Sequence, residues 1–175
     1  MKITTLDQAL LPQVRELMAL GGPYIRMRGD SDYWLYARLF SSTCPVAILD
    51  GHVVGAVIAF RSQDEPDDVY VQDVMTHPDY RGRGVALQLM RTVRDHAFVV
   101  GCTRLYLTSE PENTAAHAIW TSLGFVNCPG DRTVGGIEVI ADFKGPGKDR
   151  AVYELTLFQG REAGGTSSCS PSAES

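Results

Sequence analysis

The feature that most constrains this chain is a segment that passes from strand to glycine turn to helix. VYVQDVMT (69–76) has the composition of a strand, HPDYRGRG (77–84) carries two glycines, and VALQLMRTV (85–93) repeats apolar residues at helical spacing. The first turn of a helix has N–H groups without intrahelical partners and carries partial positive charge, so it binds anions. Glycine lets a phosphate approach the backbone, and Arg81 and Arg83 add charge. The segment therefore predicts an anion site.

Composition favours a small-molecule anion over nucleic acid. The chain has 175 residues, a formal net charge of -5 and a pI of about 5.3, whereas a nucleic-acid-binding domain usually has a basic pI. The sequence has no Walker pattern GxxxxGK[ST], and the turn follows mid-chain antiparallel strands rather than the first strand of a Rossmann unit. We therefore expect no nucleic-acid partner.

The sequence also lacks signals for membranes, export and metals. No apolar stretch approaches the ~20 residues of a membrane-spanning helix, and MKITTLDQAL lacks the apolar core of a signal peptide. The four cysteines have no metal-binding spacing. We expect buried free thiols, no metal, no membrane partner, a cytoplasmic location, and a monomer or homodimer.

Apolar periodicity and turn residues predict one domain over residues 1–159. Expected strands lie at 3–5, 46–49, 53–60, 69–76, 104–108, 125–128, 137–142 and 151–157. Expected helices lie at about 10–18, 32–40, 85–100 and 113–123. Ser31 is a plausible N-cap, and Asp50-Gly51 predicts a hairpin turn. Residues 160–175 are rich in Gly and Ser and predict a disordered tail.

At this glycine turn the sequence resembles the GNAT superfamily of N-acetyltransferases. The acetyl-CoA motif of that family, [QR]-x-x-G-x-[GA], is matched by Arg81, Gly84 and Ala86, and Pro78 precedes it as is usual in the family. Two motifs at the correct spacing carry the resemblance, which covers residues 2–158.

The second motif of the resemblance is a strand followed by a helix that ends in Gly-Phe. RLYLTSEPENTAAHAIWTSLGF (104–125) has Asn113, Trp120, Gly124 and Phe125 in register with it. The resemblance implies an α/β fold, in which a mixed, mostly antiparallel central sheet is flanked by helices on both faces in a single domain.

The resemblance implies acetyl-CoA as the cofactor. Its pantetheine arm would pair with the free backbone of the strand before the turn, at Val74, Met75 and Thr76. Its pyrophosphate would lie on the turn, at Gly82, Arg83, Gly84, Val85 and Ala86. Arg81, Asn113 and Trp120 complete the expected cofactor-binding residues.

The expected reaction requires a base. Free alkylamines have a pKa of ~10, so a base must remove a proton before the amine attacks. Asp73 is the first candidate because it interrupts a largely apolar strand, with a structural aspartate as the alternative reading; Glu110 is the second candidate. Strand alternation puts Asp73 on the opposite face from Tyr70 and Gln72, which we expect to bind substrate, unless a bulge changes which of them meets it.

A narrower resemblance is to diaminobutyrate acetyltransferases. It is carried by DSDYWLYARLFSSTCPVAILDGHVVG (30–55) and EPENTAAHAIW (110–120). This resemblance implies that Asp32 and Tyr33 lie near the acceptor amine, with helix capping and core packing as their alternative roles. Gln72 departs from the family pattern, which usually has Trp there.

These observations predict an enzyme that acetylates a primary amine of a small amino-acid-like or diamino molecule, by direct attack in a ternary complex. The alternatives are acetylation of a protein N-terminus or lysine and a non-catalytic acyl-CoA sensor. The sensor is kept as an alternative because Trp120 stands where many GNAT enzymes have a tyrosine that protonates the departing thiolate. Tyr153 is a weaker candidate for that acid.

Overall fold

The structure is a computed structural model that describes residues 1–157, so the expected tail at 160–175 lies outside the described residues. The helices are α1 (Leu11–Ala19), α2 (Asp30–Leu39), α3 (Val85–Val99) and α4 (Thr114–Ser122). The first strands are β1 (Lys2–Thr5), β2 (Pro45–Leu49), β3 (His52–Arg61), β4 (Asp68–Thr76) and β5 (Arg104–Ser109). The later strands are β6 (Val126–Asn127), β7 (Arg132–Val134), β8 (Ile137–Val139) and β9 (Ala151–Thr156).

The strands form a mixed, mostly antiparallel sheet. Its order is β1-β2-β3-β4-β5-β9-β6, and β7 pairs with β8 in a separate hairpin. Within residues 1–157 every pair in the large sheet is antiparallel except β4 with β5. This is the sheet expected from the sequence.

Different helices cover the two faces of the sheet. Leu89 and Val93 of α3 and Trp120 of α4 pack on one face, and residues of α1 and α2, such as Leu17 and Tyr33, pack on the other. Because both faces are covered, β3 is apolar along nearly its whole length rather than alternating.

The predicted hairpin between β2 and β3 is confirmed. Asp50 and Gly51 both have positive φ, at 51° and 81°, as a two-residue type I′ turn requires. The start of α2 was predicted wrongly: Gly29 is the N-cap rather than Ser31, and Asp32 Oδ2 accepts the Gly29 N–H at 3.0 Å. The Asp32 carboxylate, in the first turn of α2, thus accepts a backbone N–H at the start of the helix.

The last third of the chain contains a hairpin that the periodicity did not indicate. β7 and β8 pair around Gly135 and Gly136, so the expected strand at 137–142 is shorter and belongs to this hairpin. Over residues 1–157 no helix has the length and apolarity that a membrane crossing requires.

Candidate active site

The strands β4 and β5 are paired at one end and separate at the other. Their parallel pairing runs from Asp68 with Arg104 to Val71 with Leu107. Beyond that point β4 continues to Thr76 and, among residues 1–157, has only β3 as its partner strand, while the rest of β5 pairs with β9. The edge of residues 72–76 that faces β5 is therefore not hydrogen-bonded to a strand. This is the free backbone expected at Val74, Met75 and Thr76.

The paired end of these strands is joined by a group of charged side chains that the sequence analysis missed. Arg104 Nε donates to Asp68 Oδ1 at 2.9 Å, and Arg104 Nη1 donates to Glu154 Oε1 at 2.7 Å. A second bond joins Arg104 Nη2 to Asp68 Oδ2, and these bonds raise the pKa of Arg104 further. The guanidinium thus ties together β4, β5 and β9.

A β-bulge at Gln72 decides which side chains of β4 lie together. Ile58 pairs with Asp73 and Ala59 pairs with Val71, so Gln72 is the extra residue. Gln72 Nε2 lies 3.4 Å from Asp73 Oδ2 and 3.5 Å from Tyr36 Oη. The bulge that the sequence analysis allowed as an alternative is present. Gln72 and Asp73 therefore meet on the α2 side instead of facing apart.

Asp73 is half-buried and electrostatically perturbed. Burial raises the pKa of its carboxyl above the ordinary value, while Arg28, the hydrogen bond from Gln72 and Lys144 oppose the rise and Glu110 adds to it. A carboxylate with a raised pKa accepts a proton from an ammonium more readily than an ordinary aspartate does. The environment of Asp73 therefore suits a general base.

Glu110, the second candidate base, already has a cationic partner. Its Oε1 lies 3.4 Å from Arg150 Nη2. Because the Glu110 carboxylate is engaged by Arg150 while Asp73 lies on the strand that leads into the glycine turn, the geometry favours Asp73 over Glu110. The catalytic roles of both residues stay predictions.

Helix α2 contributes tyrosines to the wall opposite β4. The ring of Tyr33 is buried among the apolar residues of α1, α2 and β3, and the hydroxyl of Tyr36 contacts Gln72. Burial raises the pKa of both tyrosines, and Asp73 adds to the rise in each. Tyr36 was missed by the sequence analysis, although its spacing of three residues from Tyr33 places it on the same helix face.

Tyr70 marks the point where β4 and β5 separate. Its hydroxyl lies 3.4 Å from Thr108 Oγ1 on β5. Lys144, from the loop between β8 and β9, donates to the same hydroxyl, and its ammonium lies 4.9 Å from the centre of the Tyr70 ring. The sequence gave no local signal for Lys144, because the fold brings it here from a distant segment.

The turn before α3 is open to a ligand. Gly82 and Gly84 have φ of 72° and 76°, and a Cβ built on either would meet nothing within 4 Å. In α3, Gln88 donates its N–H to the Gly84 carbonyl at 3.0 Å. The N–H groups that precede it have no intrahelical acceptor. The turn has the open backbone that a pyrophosphate requires, and binding of CoA at these residues stays a prediction.

Thr76, also expected at the cofactor, has a buried hydroxyl without a hydrogen-bond partner among residues 1–157. Thr76 pairs with Gly55 across the sheet, and a Cβ on Gly55 would come 2.5 Å from Val85 Cγ1. Since paired residues share a face, the Thr76 side chain lies on the α3 side, near the first turn of that helix. An unpartnered hydroxyl there fits a ligand with amide groups, such as a pantetheine arm.

Two of the expected cofactor residues, Asn113 and Trp120, have partners within the protein. Asn113 Oδ1 accepts the Ala116 N–H at 3.1 Å and so caps α4. The buried Trp120 indole N–H donates to Ser109 Oγ at 2.8 Å. These contacts explain how α4 is held at the end of β5, and the contacts of both residues with a cofactor stay predictions.

Next to Trp120 lies a histidine–tyrosine pair. His117 Nδ1 is 2.8 Å from Tyr153 Oη, and burial raises the pKa of Tyr153 to about 12. Tyr153 therefore holds its proton near neutral pH. In the part of the chain that the structure describes, no cluster of His, Cys, Asp and Glu side chains has the geometry of a metal site.

A mixed sheet whose parallel pair opens beside a glycine turn at a helix start defines the fold of CoA-dependent acyltransferases. The chain belongs to the Acetyltransferase (GNAT) family, whose family model matches residues 11–125. The family and the fold implied by the two sequence motifs are thereby confirmed.

Sequence relatives include L-2,4-diaminobutyric acid acetyltransferases and N-acetylaspartate synthetases. L-2,4-diaminobutyric acid acetyltransferase of Nocardia farcinica is 36% identical over 91 residues, which cover 52% of this chain and 47% of the relative. The protein of the same name from Streptomyces coelicolor is 35% identical and covers 67% of this chain and 76% of the relative. N-acetylaspartate synthetase of Danio rerio is 33% identical and covers 71% and 40%. The chain thus spans less than half the length of two of these relatives.

Solved structures share the fold. The diaminobutyrate acetyltransferase of Paenibacillus lautus, in complex with L-2,4-diaminobutyric acid and coenzyme A, has a TM-score of 0.74 at 18% identity and covers 93% of this chain and 98% of that one. Ard1 from Thermoplasma volcanium has a TM-score of 0.73 at 12% identity, with coverage of 90% and 98%. At these identities the likeness concerns the fold alone.

Proposed function

We propose that this protein transfers the acetyl group of acetyl-CoA to the primary amine of a small amino-acid-like or diamino substrate, by direct attack in a ternary complex. The observation that carries the proposal is the half-buried Asp73 carboxylate, which lies where β4 leaves β5, on the strand that leads into the glycine turn. The names of the sequence relatives support a small amino acid as the acceptor.

Each part of the site has a task in this proposal. The amides from Gly82 to Ala86 bind the pyrophosphate, and the free backbone of 74–76 binds the pantetheine arm. Bound acetyl-CoA supplies an activated acetyl thioester. Asp73 removes a proton from the incoming ammonium, and the amide of Gln72 orients the Asp73 carboxylate.

The proposal also covers the domain organisation, location and partners of the protein. It includes one acetyltransferase domain over residues 1–159, a cytoplasmic location, a monomer or homodimer, and no nucleic-acid partner. The family match over residues 11–125 supports the domain, and the net charge of -5 supports the absence of a nucleic-acid partner.

Release of free CoA thiol from acetyl-CoA, measured against a panel of acceptors, tests the proposal. The panel contains small amino acids, diamino acids and peptides with a free N-terminus. We expect release with small amines and none with buffer alone. Release with peptides only would indicate a protein acetyltransferase, and binding of acetyl-CoA without release in any arm would indicate a sensor.

The position of the cofactor is tested by Gly84→Ala, with Gly101→Ala as a matched control. Both glycines have positive φ, 76° and 83°, at opposite ends of α3, and both face open space. Each alanine should cost ~1–2 kcal/mol of backbone strain. Only the change at Gly84 should abolish the rise in melting temperature that acetyl-CoA produces, since it puts a methyl group at the pyrophosphate. An equal rise in both variants would remove the cofactor from this turn.

A further inference from the structure

A lysine from a distant loop lies over the face of β4 that carries Asp73. Lys144 belongs to the loop between β8 and β9, 74 residues after Tyr70 in the sequence. Its ammonium lies 4.9 Å from the centre of the Tyr70 ring and donates a hydrogen bond to the hydroxyl of that residue. The ammonium makes no ion pair within residues 1–157. No carboxylate of the described residues therefore neutralises its charge.

The loop that carries Lys144 is held together by its own hydrogen bonds. The Lys144 N–H donates to the Lys148 carbonyl at 3.2 Å, and the Gly145 N–H donates to the Asp142 carbonyl at 2.8 Å. The Asp142 N–H donates to Asp149 Oδ1 at 2.9 Å, just before the start of β9. These bonds fix the backbone from which the lysine side chain extends to β4.

The Tyr70 hydroxyl connects this lysine to β5. A lysine ammonium is a donor only, so the Tyr70 oxygen accepts from it. The tyrosine proton is then available to Thr108 Oγ1, which lies 3.4 Å away. The ammonium has three protons, of which the Tyr70 oxygen accepts one. The others are available to a ligand that lies beside Tyr70.

The register of the sheet places Tyr70 and Asp73 on the same face. Tyr70 pairs with Phe60 of β3, and Asp73 pairs with Ile58. Phe60 and Ile58 are alternate residues of one strand, and both belong to the apolar packing beneath α1 and α2. Because of the bulge, Tyr70 and Asp73 are two strand positions apart, or about 7 Å along β4. The pKa of Asp73 agrees with this placement, since Lys144 is among the groups that lower it.

A carboxylate and an ammonium at this spacing suit a ligand that carries the opposite charges a few bonds apart. A free amino acid has an ammonium and a carboxylate in one small molecule. With hydrogen bonds of about 2.9 Å at each end, it can bridge Asp73 and Lys144. A simple diamine has no group for the lysine, and in a peptide the C-terminal carboxylate is remote from the N-terminal amine.

We propose that Lys144 binds the carboxylate of a free amino acid, and that this contact selects amino acids over amines without a carboxylate. The inference rests on the proposed function and deepens it, because it names a residue that determines the class of acceptor. Tyr70 is a positioning residue here, since its ring and hydroxyl hold the ammonium. The contact recognises the carboxylate itself and does not select one amino acid from another.

Thiol release measured with pairs of acceptors tests the proposal. L-2,4-diaminobutyrate is compared with 1,3-diaminopropane, its counterpart without the carboxylate. L-aspartate is compared with its uncharged diamide. In each pair that the wild-type protein acetylates, kcat/KM should be about tenfold higher or more for the member with the carboxylate, because hydrogen bonds to charged groups are the stronger ones.

Variants of the lysine and of its support refine the test. Lys144→Gln should raise the KM for the carboxylate-bearing acceptor about tenfold, leave the KM for acetyl-CoA unchanged and spare the activity with the counterpart. Lys144→Arg keeps the charge and should retain more of the preference than Lys144→Gln. Tyr70→Phe should raise the same KM less, because it keeps the ring beside the ammonium and removes only the hydroxyl.

Lys148→Gln is the matched control, since it removes the same charge from the same loop, and it should leave every KM unchanged. Equal kcat/KM for the two members of a pair, or equal effects of Lys144→Gln and Lys148→Gln, would overturn the inference and leave the proposed function in place. A loss in Lys144→Gln that is equal for both members of a pair would make the lysine structural and overturn it too. Thiol release with no amine of this set or of the wider panel, while acetyl-CoA still raises the melting temperature, would overturn both.

Discussion

The two ends of the β4–β5 pair have opposite physical characters. At the paired end, backbone groups bond across the strands, and Arg104 binds Asp68 and Glu154 on the neighbouring strands. At the open end, the Thr76 hydroxyl has no partner within residues 1–157, and Asp73 has a raised pKa. Buried polar groups in folded proteins nearly always have hydrogen-bond partners, so an unpartnered hydroxyl beside the glycine turn is consistent with a ligand site there. The difference separates a paired end, held together by backbone and side-chain bonds, from an open end at which we propose that the ligands bind.

The bulge at Gln72 lies at the boundary between the paired end and the open end of β4. Val71 is the last residue of β4 that pairs with β5, and Gln72 follows it directly. A bulge bends its strand and increases the local twist. The same residue therefore ends the pairing with β5 and turns Asp73 toward α2.

The largest effect is expected from Asp73→Asn at the open end. Loss of a general base should lower kcat by ~10²–10⁴. The loss should shrink as pH rises, because the amine then arrives already neutral. Thiol-release kinetics across pH measure this, and a loss that does not depend on pH would assign Asp73 a structural role. Activity close to wild type would shift the base to Glu110 or to a water chain.

The proposed role of Asp73 also predicts how activity and stability of the wild-type protein depend on pH. Asp73 acts as a base only when ionised, so activity should fall as pH drops through a pKa that burial has raised. Because the folded state raises this pKa, ionisation of Asp73 opposes folding at neutral pH, and the stability it removes returns below the usual aspartate range. Asp73→Asn should therefore not lower the melting temperature at pH 7, which separates lost catalysis from lost folding.

At the paired end the expected effect is on stability. Arg104→Met leaves the side chains of Asp68 and Glu154, which are only 10% and 15% exposed, without their guanidinium. Breaking a buried ion pair by removing one partner costs about 3–5 kcal/mol, and partial exposure of this one places the expected loss near 3 kcal/mol. Denaturant unfolding measures it.

The control for that change is Arg132→Met, since Arg132 pairs with Asp149 while its own side chain is 51% exposed. An exposed pair contributes about 0–1 kcal/mol. Equal losses in both variants would show that the paired end is not a special source of stability.

The sequence predicted the parts of this protein that depend on local patterns. The glycine turn, the helix after it, the hairpin at Asp50-Gly51 and the candidate base Asp73 all follow from neighbouring residues and their spacing. The family motifs supplied the topology of the sheet.

What the sequence did not predict depends on pairing between distant segments. The bulge at Gln72 is a property of the register between β3 and β4, and no residue in the strand predicts it. Lys144 and the partners of Arg104 are ordinary charged residues in the sequence, and only the fold brings them to their contacts. Ser31 was expected as the N-cap because its side chain suits that position, but Asp32 satisfies the helix start from within the first turn.

The smallest effect is expected from Trp120→Phe, beside the open end. An indole N–H donates a hydrogen bond but does not act as an acid near neutral pH, and in this structure it donates to Ser109 at 2.8 Å. A thiol with a pKa of ~8.5 leaves as thiolate without an acid. We therefore predict that Trp120 packs along the pantetheine arm, and that Trp120→Phe raises the KM for acetyl-CoA modestly with kcat within about tenfold, short of the ~10²–10⁴ expected of a general acid.

Three further variants sharpen this prediction. Trp120→Ala should cost more than Trp120→Phe, because it leaves a cavity beside the cofactor. Ser109→Ala removes only the acceptor of the indole N–H, so it separates the contribution of that hydrogen bond from the contribution of the ring. A hundredfold fall of kcat in Trp120→Phe with the fold intact would contradict the packing role. Tyr153, whose proton is held by a pKa of about 12, is the remaining candidate acid, and Tyr153→Phe measures its contribution.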